Sequence, residues 1–135
     1  MIKAKFQKQE DELAVSFIWF DMGYTLLYMQ RETTYQQALK NFGIEIPLED
    51  IEKGFHLTDK LFMREYPGVF LEPREVFMPS YLGIMNYRLG IGLDVCELDA
   101  CWEAIKAKMD NYWLPFDGVS DVLAALKRES FGLGI

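Results

Sequence analysis

The sequence predicts an α/β fold that is mostly helical by residue count, with a block of helices inserted between strands of a parallel sheet. Three observations carry that expectation. Ala14–Phe20 (AVSFIWF) is a run of β-branched and aromatic residues interrupted only by Ser16 and ended by Asp21 and Gly23, the pattern of a strand covered on both faces. Between about Glu32 and Trp113 apolar residues recur at helical spacing in four segments punctuated by Gly and Pro. Phe131–Ile135 is apolar and glycine-containing, the start of a second strand. A strand apolar on both faces needs helices on both sides, which places the first strand in the middle of the sheet.

The helices follow in order. From about Glu32, TTYQQALKNFG reads as a short amphipathic helix with Thr33 or Thr34 as N-cap and Gly43 as stop. Leu48, Ile51, Phe55 and Phe62 mark a longer helix that Pro67-Gly68 ends. Pro73 suits the first turn of a third helix carrying Phe77, Tyr81, Ile84 and Met85, in which Pro79 predicts a kink or a late start and Gly90 and Gly92 the end. Asp94 caps a fourth, with Val95, Leu98, Trp102, Ile105 and Met109 as its apolar stripe, Lys106 off the stripe, and its end near Trp113. Leu114–Gly118 is a turn by its Pro and Asp-Gly, and Val119–Arg128 a last helix with Val122, Leu123 and Leu126 inward. Two parallel strands do not make a stable domain, so the sheet is expected to be incomplete in this chain.

Composition narrows the function. A chain of 135 residues with 20 aromatic side chains, 10 Phe, 3 Trp and 7 Tyr, has apolar surface for one sizeable core. Its net charge of −7 repels phosphate backbones and anionic lipid alike, which argues against nucleic-acid or membrane-surface partners. No apolar stretch approaches the roughly 20 residues of a membrane span, and the charged N-terminal MIKAKFQKQEDEL is not a secretory signal, so the expected location is the cytoplasm. Cys96 and Cys101 suit neither a disulfide nor a metal pair, His56 reads as a residue of the second helix, and Gly90-Ile-Gly92 as a turn.

The chemistry-bearing stretch is Phe17-Ile-Trp-Phe-Asp21-Met-Gly23-Tyr-Thr25-Leu-Leu27, an apolar strand delivering a carboxylate at its C-terminal end with a threonine four residues on. Ligands in open α/β sheets bind outside the carboxyl ends of strands. This segment resembles motif I of the haloacid dehalogenase superfamily, and Leu114–Ile135 (PFDGVxxVLxxLK) looks like that family's return from cap to core. The resemblance implies a partial Rossmann-like (HAD-like) core from 1–31 and 114–135 and a helical cap from 32–113. It further implies a hydrolase, by family default a Mg²⁺-dependent phosphatase of a small phosphorylated metabolite, with Asp21 as nucleophile and metal ligand, the Gly23 carbonyl as second metal ligand, and Thr25 supporting the loop. Tyr24, Tyr28, Met29 and Arg31 are expected where core meets cap.

Two departures qualify that picture. The position where the family's phosphatases carry an acid is Gly23, and a general acid is worth about 10²–10⁴ in rate. The phosphate-binding hydroxyl, the lysine and the acidic pair of the family's remaining motifs are expected beyond Ile135. The alternative is therefore an inactive member that acts as a binding or oligomerisation module through open sheet edges.

Overall fold

The computed structural model describes residues 15–135. Ala14, the expected first strand residue, and the charged segment 1–13 lie outside the described residues. The described chain divides into two compact units, one formed by the residues up to Tyr28 together with Pro115–Ile135 and the other by Met29–Leu114.

The first unit is α/β. Strand β1 (Phe17–Trp19) pairs in parallel with the last strand, β4 (Gly132–Gly134), in the register Phe17 to Gly132, Ile18 to Leu133 and Trp19 to Gly134. That pairing excludes an all-helical chain. It also corrects one expectation: β1 is not buried on both faces, because Phe17 is 46% and Trp19 73% exposed and β4 is its one neighbour among the described strands. The aromatic face of β1 lies across the glycines of β4, where a Cβ on Gly134 would come within 2.6 Å of the Trp19 ring and one on Gly132 would collide with Phe17. Glycine weakens a strand interior, and an aromatic side chain laid over it from the neighbouring strand restores part of the lost cover.

Helix α5 (Val119–Arg128) precedes β4, and Gly118 at its N-cap has the positive φ of 82° that the Asp117-Gly118 turn requires. Leu123 and Leu126 are half-buried, but Val122, expected to face inward, is exposed. Strands β2 (Leu27–Met29) and β3 (Trp113–Pro115) form a second two-stranded sheet, through which the chain passes from one unit to the other. Neither strand was expected, since three residues carry no legible alternation.

The second unit is a bundle of α1 (Arg31–Asn41), α2 (Leu48–Glu65), α3 (Arg74–Leu89) and α4 (Val95–Lys106), with a 3-10 turn at Val69–Leu71. Packing of α1 on α2 and α4, and of α3 on α2 and α4, closes the ring. The stripes read from the sequence fill its core: Ile51, Phe55 and Phe62 of α2, Tyr81 and Met85 of α3, and Leu98 and Trp102 of α4 are buried. Tyr35 meets Phe55 and Trp102 edge-on at 5.2 and 5.3 Å between centroids, a favoured aromatic geometry. Gly54 lets α3 approach α2, since a Cβ there would sit 3.3 Å from the Met85 methyl.

Three boundaries differ from expectation. Helix α1 begins after Gln30 rather than at Thr33 or Thr34, whose hydroxyls donate back to the Gln30 carbonyl at 3.2 and 2.7 Å. Thr34 is buried and accepts from the Trp102 indole N–H at 2.9 Å, a tertiary partner that holds it inside the helix. Helix α3 starts directly after Pro73 and runs through Pro79, which removes one backbone bond without ending it. Helix α4 stops at Lys106, not near Trp113, because the backbone bonds of Lys108 and Met109 to Ile105 and Lys106 tighten its last turn ahead of the turn-forming Asp110-Asn111.

Candidate functional site

The loop after β1 is built by backbone hydrogen bonds. Phe20 N–H donates to the Gly134 carbonyl at 2.9 Å, which extends the β1–β4 ladder one residue past the strand and delivers Asp21 at its carboxyl end. The Met22 carbonyl then accepts from both Leu26 and Leu27, at 3.1 and 3.0 Å, and Tyr24 N–H reaches the Leu27 carbonyl at 2.7 Å. Closing so tight a turn forces Tyr24 into the left-handed region at φ 58°, uncommon for a residue with a Cβ. Gly23 forms an isolated bridge with Leu27, and Leu26 is buried and anchors the loop to its unit.

Within this turn the Thr25 hydroxyl donates to Asp21 Oδ2 at 3.4 Å, a long bond between exposed side chains. It occupies one carboxylate oxygen of an exposed residue. The structure thus brings Asp21, Gly23 and Thr25 into one loop. Thr25 also lines a cavity of about 240 Å³ with Phe20, Leu26, Asp117 and residues of α5; Asp21 does not line it. Asp117 is another carboxylate of this unit, read from the sequence as part of a turn and of the PFDGV stretch but not as a site residue.

A divalent cation is where the site is thinnest. Mg²⁺ takes near-octahedral oxygen coordination. Among the described residues no group of three or more His, Cys, Asp or Glu is placed to hold a metal ion, and Asp21 and the Gly23 carbonyl do not form a cage by themselves.

The other residues singled out from the sequence fall elsewhere. Tyr28 packs on Phe116 at 5.0 Å in the α/β unit. Met29 and Arg31 belong to the helical unit and line a cavity there with Asp59, Tyr81 and Lys106. Tyr81 was read only as a core residue and Asp59 was not singled out, because charged partners on separate helices leave no local pattern. Arg31 bonds Asp59 at 3.0 Å and Glu32 at 2.9 Å, and the Tyr81 hydroxyl donates to Asp59 at 2.5 Å. Burial, first, and the bond to Asp59, second, hold the Tyr81 phenol far above its ordinary value. His56 is exposed on α2, and Cys96 and Cys101 are free thiols. No helix among the described residues is long and apolar enough to cross a membrane. Compared with protein-family models and with curated proteins, the chain matches none.

Proposed function

We propose that the chain is a haloacid-dehalogenase-like hydrolase of the cytoplasm, by that resemblance a Mg²⁺-dependent phosphatase of a small phosphorylated metabolite. The observation that carries this reading is the Asp21 carboxylate at the carboxyl end of a parallel strand, bonded through Oδ2 to the Thr25 hydroxyl four residues on at 3.4 Å. In this reading Oδ1 attacks phosphorus, the bond from phosphorus to the leaving oxygen breaks, and water then hydrolyses the aspartyl-phosphate, splitting one difficult step into two. Thr25 is a positioning residue that fixes which oxygen attacks. Mg²⁺ would offset the phosphoryl charge when bound, and Asp21 and the Gly23 carbonyl are the two oxygen ligands the loop offers it.

Gly23 has no proton to give, so the leaving oxygen departs as an anion or takes its proton from water. Aryl phosphates, whose leaving groups tolerate the negative charge, are then turned over faster than alkyl phosphates by about 10²–10⁴, the usual worth of a general acid. The test is phosphate release from paired aryl and alkyl monoesters by this chain, and by the chain extended through any coding sequence that follows Ile135. Mg²⁺-dependent release that Asp21→Asn abolishes supports the reading, and release indifferent to both sinks it.

A second reading has its own support. Val15, Phe17 and Trp19 present an exposed apolar edge and face on a sheet that has two strands among the described residues, a template for strand pairing. A non-catalytic module that self-associates through that edge predicts a dimer in sedimentation velocity at micromolar concentration. A monomer under those conditions removes this alternative.

A further inference from the structure

Helices α2 and α3 and the 3-10 turn between them frame a groove of about 530 Å³, within the roughly 300–1,000 Å³ of pockets that take small organic molecules. Six of its ten lining residues are Leu, Ile, Val or Phe. The aromatic wall is held by the fold itself. Phe62, buried in the core, packs on Tyr66 at 5.6 Å and on Tyr81 at 5.2 Å between centroids, and Phe77 meets Phe70 edge-on at 5.5 Å. The one charged group of the groove, Glu65, is paired with Arg64 at 2.5 Å, so the wall presents no free charge. Its other polar side chains are the hydroxyls of Tyr66 and Ser80, and that of Ser80 has no hydrogen-bond partner among the described residues.

Gly83 lies in the interior of α3 and lines this groove. Glycine weakens a helix interior, and here the fold draws no return from it. Its φ is not positive, and a Cβ added there would meet nothing within 4 Å, unlike Gly54, which makes room for Met85, and Gly90, whose φ of 68° ends the helix. What the missing side chain leaves is space inside the groove. We propose that this space seats a small uncharged aromatic molecule, its ring packed over Gly83 between Phe62 and Phe77 and its one polar group, a hydroxyl or carbonyl, at the Ser80 hydroxyl one turn away. Neutrality follows from the wall: a carboxylate would face Glu65 with no free cation beside it, and an ammonium would have to displace Arg64. Burying either charge without a partner is costly. The groove belongs to the helical unit and stands independently of the chemistry assigned to Asp21.

Three probes that share one ring system separate charge from shape in the full chain: 2-naphthylmethanol, 2-naphthoate and 2-naphthylmethylammonium, each titrated while following the methyl resonances of Val69 and Ile84 on the groove wall. The alcohol is expected to shift them saturably, with each ion weaker by at least about tenfold, a small share of the cost of burying an unpaired charge. Gly83→Leu fills the groove from its floor and should weaken the alcohol by at least about tenfold, while the thermal midpoint holds or rises because leucine is the better helix former. The absence of a saturable shift, either ion binding as tightly as the alcohol, or wild-type affinity in folded Gly83→Leu overturns the proposal. A dimer in sedimentation velocity that Gly83→Leu splits also overturns it, by giving the groove to a second copy of the chain. Should Gly83→Leu fail to fold, the three probes on the unaltered chain decide it alone.

Discussion

At the scale of single residues, exposure separates side chains available for chemistry from those that hold the fold. Asp21 is exposed, and among the described residues its side chain has one hydrogen bond, the long 3.4 Å contact from Thr25, so Asp21→Asn should leave the urea midpoint unchanged within error while abolishing any turnover. A shifted midpoint would mean that Asp21 is a structural turn residue. Asn86 is the opposite case: buried, it accepts from the Tyr35 hydroxyl at 3.1 Å and donates to the Leu93 carbonyl at 3.1 Å. Asn86→Leu strands the buried Tyr35 hydroxyl and removes the bond to the half-buried Leu93 carbonyl, and should destabilise the bundle by about 1–3 kcal/mol in urea denaturation, the cost of a buried orphan. Tyr35 and Tyr81 set a pH limit. Burial raises both phenols above the ordinary value of 10.0, and the bond to Asp59 raises Tyr81 further. The native state therefore keeps protons that the unfolded chain releases, and stability present below pH 10.0 is lost as pH climbs beyond it. The urea midpoint should be flat to about pH 9 and fall steadily above about pH 10, less steeply in Tyr81→Phe; a flat alkaline limb would contradict this assignment.

At the scale of elements, the helices were legible where their signals were local. Asp94 caps α4 as its position predicts, accepting from the backbone N–H of Cys96 at 2.9 Å and Glu97 at 3.0 Å. Replacing it with Ala should cost about 1 kcal/mol, readable as a lowered thermal midpoint. Gly90, at φ 68°, closes α3 as expected, and α2 and α5 lie where periodicity placed them. What failed was decided by partners remote in sequence. Thr34 sits inside α1 because Trp102 donates to it from α4. Strands β2 and β3 exist because each pairs with the other across the whole helical block. The β1–β4 pair gives a further test. Gly134→Ala puts a methyl where the Trp19 ring lies, 2.6 Å away. It should displace the Trp19 indole resonance and speed amide exchange in β4 while leaving α1–α4 unaffected. Unchanged β4 protection would show that the aromatic cover contributes nothing to that strand.

At the scale of the molecule, burial is divided unequally. Among the described residues every buried apolar side chain except Leu26 belongs to the helical unit. The α/β unit has a two-stranded parallel sheet with one helix before β4 and carries several of the exposed large apolar residues, among them Val15, Trp19 and Ile135. Sheets of two strands are marginal without further cover, so the units should open with different free energies. Limited proteolysis is expected to leave a resistant fragment close to residues 29–114, and native-state hydrogen exchange should protect α1–α4 well above β1 and β4. Equal protection in both units would overturn this division of stability.

The sequence by itself determined the mixed α/β class, the helical block, the parallel partnership of the first and last strands, and the loop that gathers Asp21, Gly23 and Thr25. The class, the block and the loop are written in residues adjacent in the chain or in a period of a few residues, where backbone preference and side-chain burial act locally, and the strand partnership, though it joins the two ends of the chain, follows from the α/β class. Only the tertiary structure decided that β1 is exposed rather than central, that Thr34 lies within α1, that β2 and β3 exist, and that Arg31, Asp59, Tyr81 and Lys106 line one cavity. Those outcomes depend on groups brought together from distant positions, and their free energy comes from desolvation and pairing that no local stretch of sequence contains.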